Sequence, residues 1–245
     1  MKIGVKTFDD PNFLKHFENK ADFFEIMAVQ KNDYSFLKNF SLPMIIHAEH
    51  GSFGFNPADI SKKEQNLKTI KFAIKVADLV NATKIIVHPE GIEKGNKNCS
   101  IENAINFFKE INDERILIEN LPDSRNPNIN RLCQTPRQIK KFMKKTGTGF
   151  CFDVNHINEL RKDIHGKYNF IKKFLKLNPS HYHIGGQKLN SYNAHLCFND
   201  SDLNLKKIFS YYPENAEITL ETEVDIKKTE EDLKTIKKII KELGK

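Results

Sequence analysis

Eight short apolar runs alternate with eight stretches of helical periodicity along this chain, and the alternation barely falters over its 245 residues. The apolar runs cover 2–7, 23–28, 43–48, 84–90, 115–120, 149–154, 180–184 and 217–222. The helical patterns fall near 11–19, 33–40, 58–80, 100–112, 135–146, 167–177, 203–211 and 229–243. Several helix starts carry their own signal: Ser100 ahead of Ile101-Glu102-Asn103, Thr135-Pro136, and Thr229 followed by Glu230-Glu231 in a first turn. Strictly alternating β and α units imply a parallel sheet, and eight of each imply an α/β chain closed into a single (β/α)₈ TIM barrel with outer helices.

An open doubly wound sheet is the competing arrangement. Its first β-to-α turn would carry a glycine-rich phosphate fingerprint, and Thr7-Phe8-Asp9-Asp10-Pro11 has no glycine. An open sheet also gathers its ligands at one crevice, whereas a barrel brings every strand end to one mouth. The length suits one barrel domain over 1–245.

Six of the apolar runs end in a residue able to bind a metal. Ile45-Ile46 leads to His47, Ile85-Ile86-Val87 to His88, Leu117-Ile118 to Glu119, Phe152 to Asp153, Tyr182 to His183 and Thr219-Leu220 to Glu221. A buried carboxylate is expensive unless it is paired or bound to a cation. Six such ends in one barrel therefore point to one shared site, and mixed imidazole and carboxylate ligands suit Zn²⁺ or Mn²⁺. Asp153 carries a second candidate three residues on, His156, and His195 lies further along. Taken singly, each histidine could be a satisfied core residue and each acid half of an ion pair; the convergence carries the inference. His16 reads as surface, His181 as facing away from the barrel interior, and His50 as either a substrate contact or a partner of His47.

Composition narrows the class. Hydrophobic residues at 39% and charged residues at 29% describe a globular chain, and no apolar run approaches the roughly 20 residues of a membrane span. The chain enters a strand at Met1-Lys2-Ile3 without the layout of a signal peptide, so a cytoplasmic location is expected. Cys99, Cys133, Cys151 and Cys197 show no paired spacing, which predicts reduced thiols. Cys197, two residues after His195, reads as packing in preference to a sulfur ligand. The net charge of +7 comes largely from lysines spread along helical faces, as at Lys227-Lys228 and Lys237-Lys238, and selects no partner by itself.

This residue set resembles the xylose isomerase-like TIM barrel superfamily, and within it the endonuclease IV family (AP endonuclease family 2). The likeness runs over the chain from the third strand onward and is looser before it. It implies a metal-dependent hydrolase: a phosphodiesterase that cleaves abasic DNA through a di- or trinuclear Zn²⁺ site. On that pattern His47 and His88 hold one ion, with Glu119 bridging to a second. Glu119, Asp153, His183 and Glu221 surround the second, while His156 and His195 hold a third together with an aspartate two residues before His195. Asn193 stands at that aspartate position, which weakens the third site specifically.

The quartet Glu119, Asp153, His183 and Glu221 is also the pattern of sugar isomerases and epimerases. That alternative implies a small sugar or sugar phosphate substrate, a single Mn²⁺ or Co²⁺ ion, and Glu119 and Glu221 as a base–acid pair that moves a proton through an enediolate. The second run, Phe23-Phe24-Glu25-Ile26-Met27, resembles the isomerases, and Gly185-Gly186 follows His183 where the endonucleases have Asn-Asp. No Tyr-Leu pair follows His47, so Phe53 or Phe55 would have to serve as the wedge into the base stack. A third implication is a barrel that binds metal without catalysis.

Overall fold

A computed structural model describes residues 1–157, 164–189, 191 and 193–245. Eight parallel strands close into a barrel: β1 (Lys2–Thr7), β2 (Phe23–Ala28), β3 (Met44–Ala48), β4 (Ile85–Val87), β5 (Ile116–Glu119), β6 (Gly149–Asp153), β7 (His181–Ile184) and β8 (Glu217–Leu220). Each strand pairs with its neighbour in sequence, and β1 closes on β8 through registers such as Val5 opposite Leu220. The α/β TIM barrel expected from the alternation is the fold observed.

Around it run α1 (Pro11–Phe17), α2 (Lys63–Leu79), α3 (Ile101–Ile111), α4 (Pro136–Thr146), α5 (Ile164–Leu175), α6 (Leu205–Tyr211) and α7 (Ile226–Leu243). Their starts follow local chemistry. Ser100 accepts the Asn103 N–H ahead of α3, and Thr135 with Gln138 forms a reciprocal capping box ahead of α4, with Pro136 in its first turn. The last helix begins before the expected Thr229: Asp225 accepts the Lys228 N–H and caps it, and Thr229 lies buried inside the first turn.

The helix expected over 33–40 is instead one short 3₁₀ turn, Ser35–Asn39. Asp33 captures both the N–H and the hydroxyl of Ser35, a local bond that competes with helix propagation. The Tyr34 hydroxyl donates to the Met27 carbonyl at 2.7 Å, which pins the turn to the end of β2. The run expected over 84–90 also divides. Strand β4 ends at Val87, and Gly91–Glu93 pairs antiparallel with Ile129–Arg131 as a small ribbon above the barrel. No described helix is long and apolar enough to cross a membrane.

The larger part of the core lies between barrel and helices, built from residues such as Phe24, Phe108, Phe142, Phe150 and Ile236. A small apolar plug of Phe23, Ile45, Ile86, Leu117 and Cys151 fills the barrel itself. Gly4 makes room for it, because a Cβ there would lie 2.2 Å from the Phe23 ring. Two residues beyond these positions, and beyond His181 and Thr219 at the same level of β7 and β8, stand Lys6, Glu25, His47, His88, Glu119, Asp153, His183 and Glu221. The apolar plug is thus roofed by a ring of eight ionisable groups, one for each strand.

Candidate metal centre

Strand ends supply the ring, and two asparagines set its height. The Asn120 side chain donates to the Asp153 carbonyl and accepts the Asp153 N–H, both at 2.8 Å, so a side-chain amide joins the ends of β5 and β6 as a strand would. Asn155 repeats the device toward β7, accepting the Gly185 N–H at 2.7 Å and donating to the Gly185 carbonyl at 3.0 Å. Asp153 spends one carboxylate oxygen on the Asn155 N–H at 2.6 Å and aims the other at the centre.

Five imidazoles show one pattern: one ring nitrogen is held by an outer acceptor, and the other faces inward. His47 gives Nδ1 to the Ala48 carbonyl at 2.7 Å and turns Nε2 to Glu119 at 3.3 Å. His88 sets Nδ1 against Glu90 and Nε2 against Glu119, each at 3.3 Å. His156 gives Nδ1 to the Asn120 carbonyl at 2.8 Å, and His195 gives its own to the Glu221 carbonyl at 3.2 Å. Their Nε2 atoms face each other at 3.3 Å, with Asp153 Oδ2 at 3.3 Å from the first and 4.0 Å from the second. His183 gives Nε2 to Glu25 at 2.9 Å and turns Nδ1 to Glu221 at 2.8 Å and to Glu119 at 3.5 Å. An outer acceptor on one nitrogen selects the tautomer whose other nitrogen carries the lone pair, the preparation a metal ligand requires.

Glu119 sits among them with its oxygens divided. Oε2 faces His47, His88 and His183, while Oε1 lies 3.0 Å from His156 Nδ1, the same nitrogen that the Asn120 carbonyl holds. Glu119 Oε1, Asp153 Oδ2, His183 Nδ1 and Glu221 Oε2 are buried without a hydrogen-bond partner. A carboxylate oxygen 2.8 Å from an imidazole nitrogen that makes no hydrogen bond to it is what two ligands of one cation look like. The sets His47, His88, Glu119 and Asp153, His156, His195 each bring three ligand atoms within 4.8 Å of one another. These donors fit zinc or a similar divalent ion. Glu119, His183 and Glu221 meet directly, and Asp153 joins them through His156 and His195. Asn193 is exposed at the lip, its N–H given to Ser191.

Electrostatics tie the ring together. Burial works against the His88 imidazolium but is outweighed by Glu119 and Glu90, which push its pKa up to about 9. Burial equally opposes ionisation of Glu119, yet His88 and His183 hold its carboxyl well below the usual range. Burial also keeps the His50 ring neutral, and His88 and His47 reinforce this, lowering its pKa to about 3. Its Nδ1 accepts the Ser52 N–H, and its ring stacks on His88 with centroids 5.1 Å apart.

Three groups escaped the sequence reading. Lys6 is buried, with its ammonium 3.1 Å from Glu25 and 2.7 Å from Glu221. Burial would discharge it, but Glu221 and Glu25 hold it charged and raise its pKa. Glu90 lies under His88. His181 is corrected outright: it points into the barrel with His183, since residues two apart on a strand share a face. It is fully buried, 2.7 Å from Thr219 and 3.4 Å from Glu25. The available signal was that same two-residue step from the apolar plug. Phe55 is buried and Phe53 exposed at the rim beside His50, while Cys197 is a free, buried thiol.

The mouth opens into a cleft of about 580 Å³ lined by His47, His88, His156, His195 and Glu221, with Ser52, Ser124, Asn126 and Arg131 on its walls. No curated protein sequence matches the chain. Among solved structures, a D-tagatose 3-epimerase-like protein superposes with a TM-score of 0.77 at 19% identity, covering 100% of this chain and 98% of that one. Endonuclease IV from Thermus thermophilus superposes at 0.74 with 15% identity, over 99% of this chain and 100% of that chain. An L-ribulose 3-epimerase gives 0.68 at 14% identity, over 99% and 95%. At these identities the likeness is one of fold. A family model described as a xylose isomerase-like TIM barrel matches residues 22–241, and the chain belongs to that family.

Proposed function

We propose that this chain is a metal-dependent phosphodiesterase of the endonuclease IV kind, cutting the backbone of abasic DNA at a di- or trinuclear zinc centre. One observation carries the reading. The inward-facing nitrogens fall into separate groups: those of His47 and His88 face Glu119 Oε2, while those of His156 and His195 gather beside Asp153 Oδ2. A single ion needs only the quartet, and this surplus of prepared imidazoles suits a bridged cluster. His47, His88 and Glu119 would hold one ion, Glu119, Asp153, His183 and Glu221 the next, and His156 with His195 a third. Bound there, such ions supply the clamp on the phosphodiester, a water of lowered pKa and a counter-charge for the leaving oxygen. The protein's own part is orientation. Asn120 and Asn155 fix the height of Asp153, Glu25 fixes the His183 ring, and Lys6 keeps Glu221 ionised on the flank away from the histidine.

A second reading is a sugar or sugar phosphate isomerase or epimerase with one Mn²⁺ or Co²⁺ ion. Its support is that Glu119 and Glu221 both approach His183 Nδ1, so two acids face one point as a base–acid pair would. The neutral Asn193 favours it as well. Cleavage of an oligonucleotide carrying one abasic site, run beside ketose epimerisation on protein of measured metal content, separates the two. Nicking by protein holding two or more zinc ions is the expected result. Protein so loaded that leaves abasic DNA intact would end the phosphodiesterase reading.

A further inference from the structure

Just past β4 the chain enters a backbone conformation that favours glycine, and a glutamate occupies it. Glu90 has φ 49°, in the left-handed region, and only 4% of its surface is exposed. Its side chain is fully engaged. Oε1 accepts the Gly51 N–H at 2.6 Å and lies 3.3 Å from His88 Nδ1, while Oε2 pairs with Arg131 from the antiparallel ribbon. The approach to Gly51 is so close that a Cβ there would lie 2.7 Å from the carboxylate. The far nitrogen of His88 faces Glu119 at 3.3 Å. An unfavourable φ, a buried charge and a close approach to the Gly51 backbone all converge on one geometry, the carboxylate set behind His88.

We infer that Glu90 is a positioning residue of the metal centre: it takes the Nδ1–H of His88, fixes the tautomer, and holds the Nε2 lone pair toward the ion beside Glu119. The inference rests on His88 being a ligand, and it adds a control point outside the expected ligand set. Through Arg131 and Gly51 the same carboxylate ties the ribbon and the loop after β3 to that imidazole, so both cleft walls are coupled to one ligand.

The test uses the full chain, stripped of metal and titrated with Co²⁺ while the visible ligand-field bands are followed, and with zinc followed by elemental analysis. Glu90→Gly removes the carboxylate and relaxes the backbone; Glu90→Gln keeps an acceptor of the same shape; Arg131→Met breaks the ion pair but leaves the contact with His88. Glu90→Gly is expected to lower affinity for one bound ion by about 10- to 100-fold and leave any other ion unaffected. Glu90→Gln should fall between it and the parent. Arg131→Met should lower the melting temperature and keep the ion. A downfield imidazole N–H proton resonance present in the parent should vanish in Glu90→Gly. Parent-like Co²⁺ affinity in both Glu90 variants would overturn the inference, as would a loss in Arg131→Met equal to that in Glu90→Gly. A parent that takes up no ion removes the metal reading and this inference together, whereas a parent that binds ions but leaves abasic DNA uncut removes only the proposed reaction.

Discussion

His156 and His195 meet nitrogen to nitrogen, Nε2 to Nε2 at 3.3 Å, with both Nδ1 atoms held by main-chain carbonyls. With both Nδ1 atoms so engaged, the two Nε2 atoms are left to share either a proton or a metal ion, and Asp153 Oδ2 beside them makes an ion the third partner of such a site. The His195 side chain is part-exposed, so His195→Ala is expected to lower zinc content by about one ion per chain with a melting temperature close to that of the parent. Elemental analysis after dialysis checks this, and unchanged stoichiometry would remove the His156–His195 site.

Lys6 gives a second expectation. Its ammonium separates Glu25 from Glu221 inside the barrel mouth. Removing one partner of a buried ionic set costs about 3–5 kcal/mol because the remaining charges lose compensation. Lys6→Met should therefore destabilise the metal-free protein by that order, and zinc should restore part of the loss by supplying positive charge. Chemical denaturation with and without zinc measures both, and equal losses in the two states would contradict the link.

The pH dependence of the metal-free protein follows from His88. Its folded pKa, about 9, lies above its ordinary 6.5, so its stabilisation is fully present below 6.5 and is lost as pH rises through about 9. Melting temperatures of chelator-treated protein should fall between about pH 6 and pH 10, and zinc-loaded protein should show a weaker dependence because the ion replaces the proton. A metal-free melting temperature that rises over that interval would contradict the assigned charge state.

Gly4 tests the barrel plug. A methyl group 2.2 Å from the Phe23 ring cannot be accommodated without displacing that ring. Gly4→Ala is expected to cost about 1–3 kcal/mol, the range for overpacking a core. A variant as stable as the parent would show that Phe23 repacks freely.

Asn193→Asp should strengthen binding of the third ion if its loop can turn the side chain inward, since a carboxylate binds zinc better than a neutral amide. Zinc titration of the variant against the parent reads the change directly. Identical isotherms would show that the exposed lip at Asn193 lies outside the centre.

The order of apolar runs and helical patterns settles the barrel from sequence alone, because burial on a strand and on a helix has different periods and the eightfold alternation leaves few topologies. Six of the ring positions were legible for a related reason: an acid or histidine at the end of an apolar run is conspicuous. Lys6 was not, because a lysine near a chain end reads as surface until closure of β1 onto β8 brings it between Glu25 and Glu221. His181 needed the observed register, and Glu90 needed the left-handed turn that folds it back beneath His88. The choice of outer acceptor for each imidazole belongs to tertiary structure as well. Ala48 and Glu90 are sequence neighbours of their rings, but Asn120, Glu25 and the Glu221 carbonyl reach theirs across the barrel through strand pairings that no local pattern encodes, and together they decide which nitrogen each histidine offers.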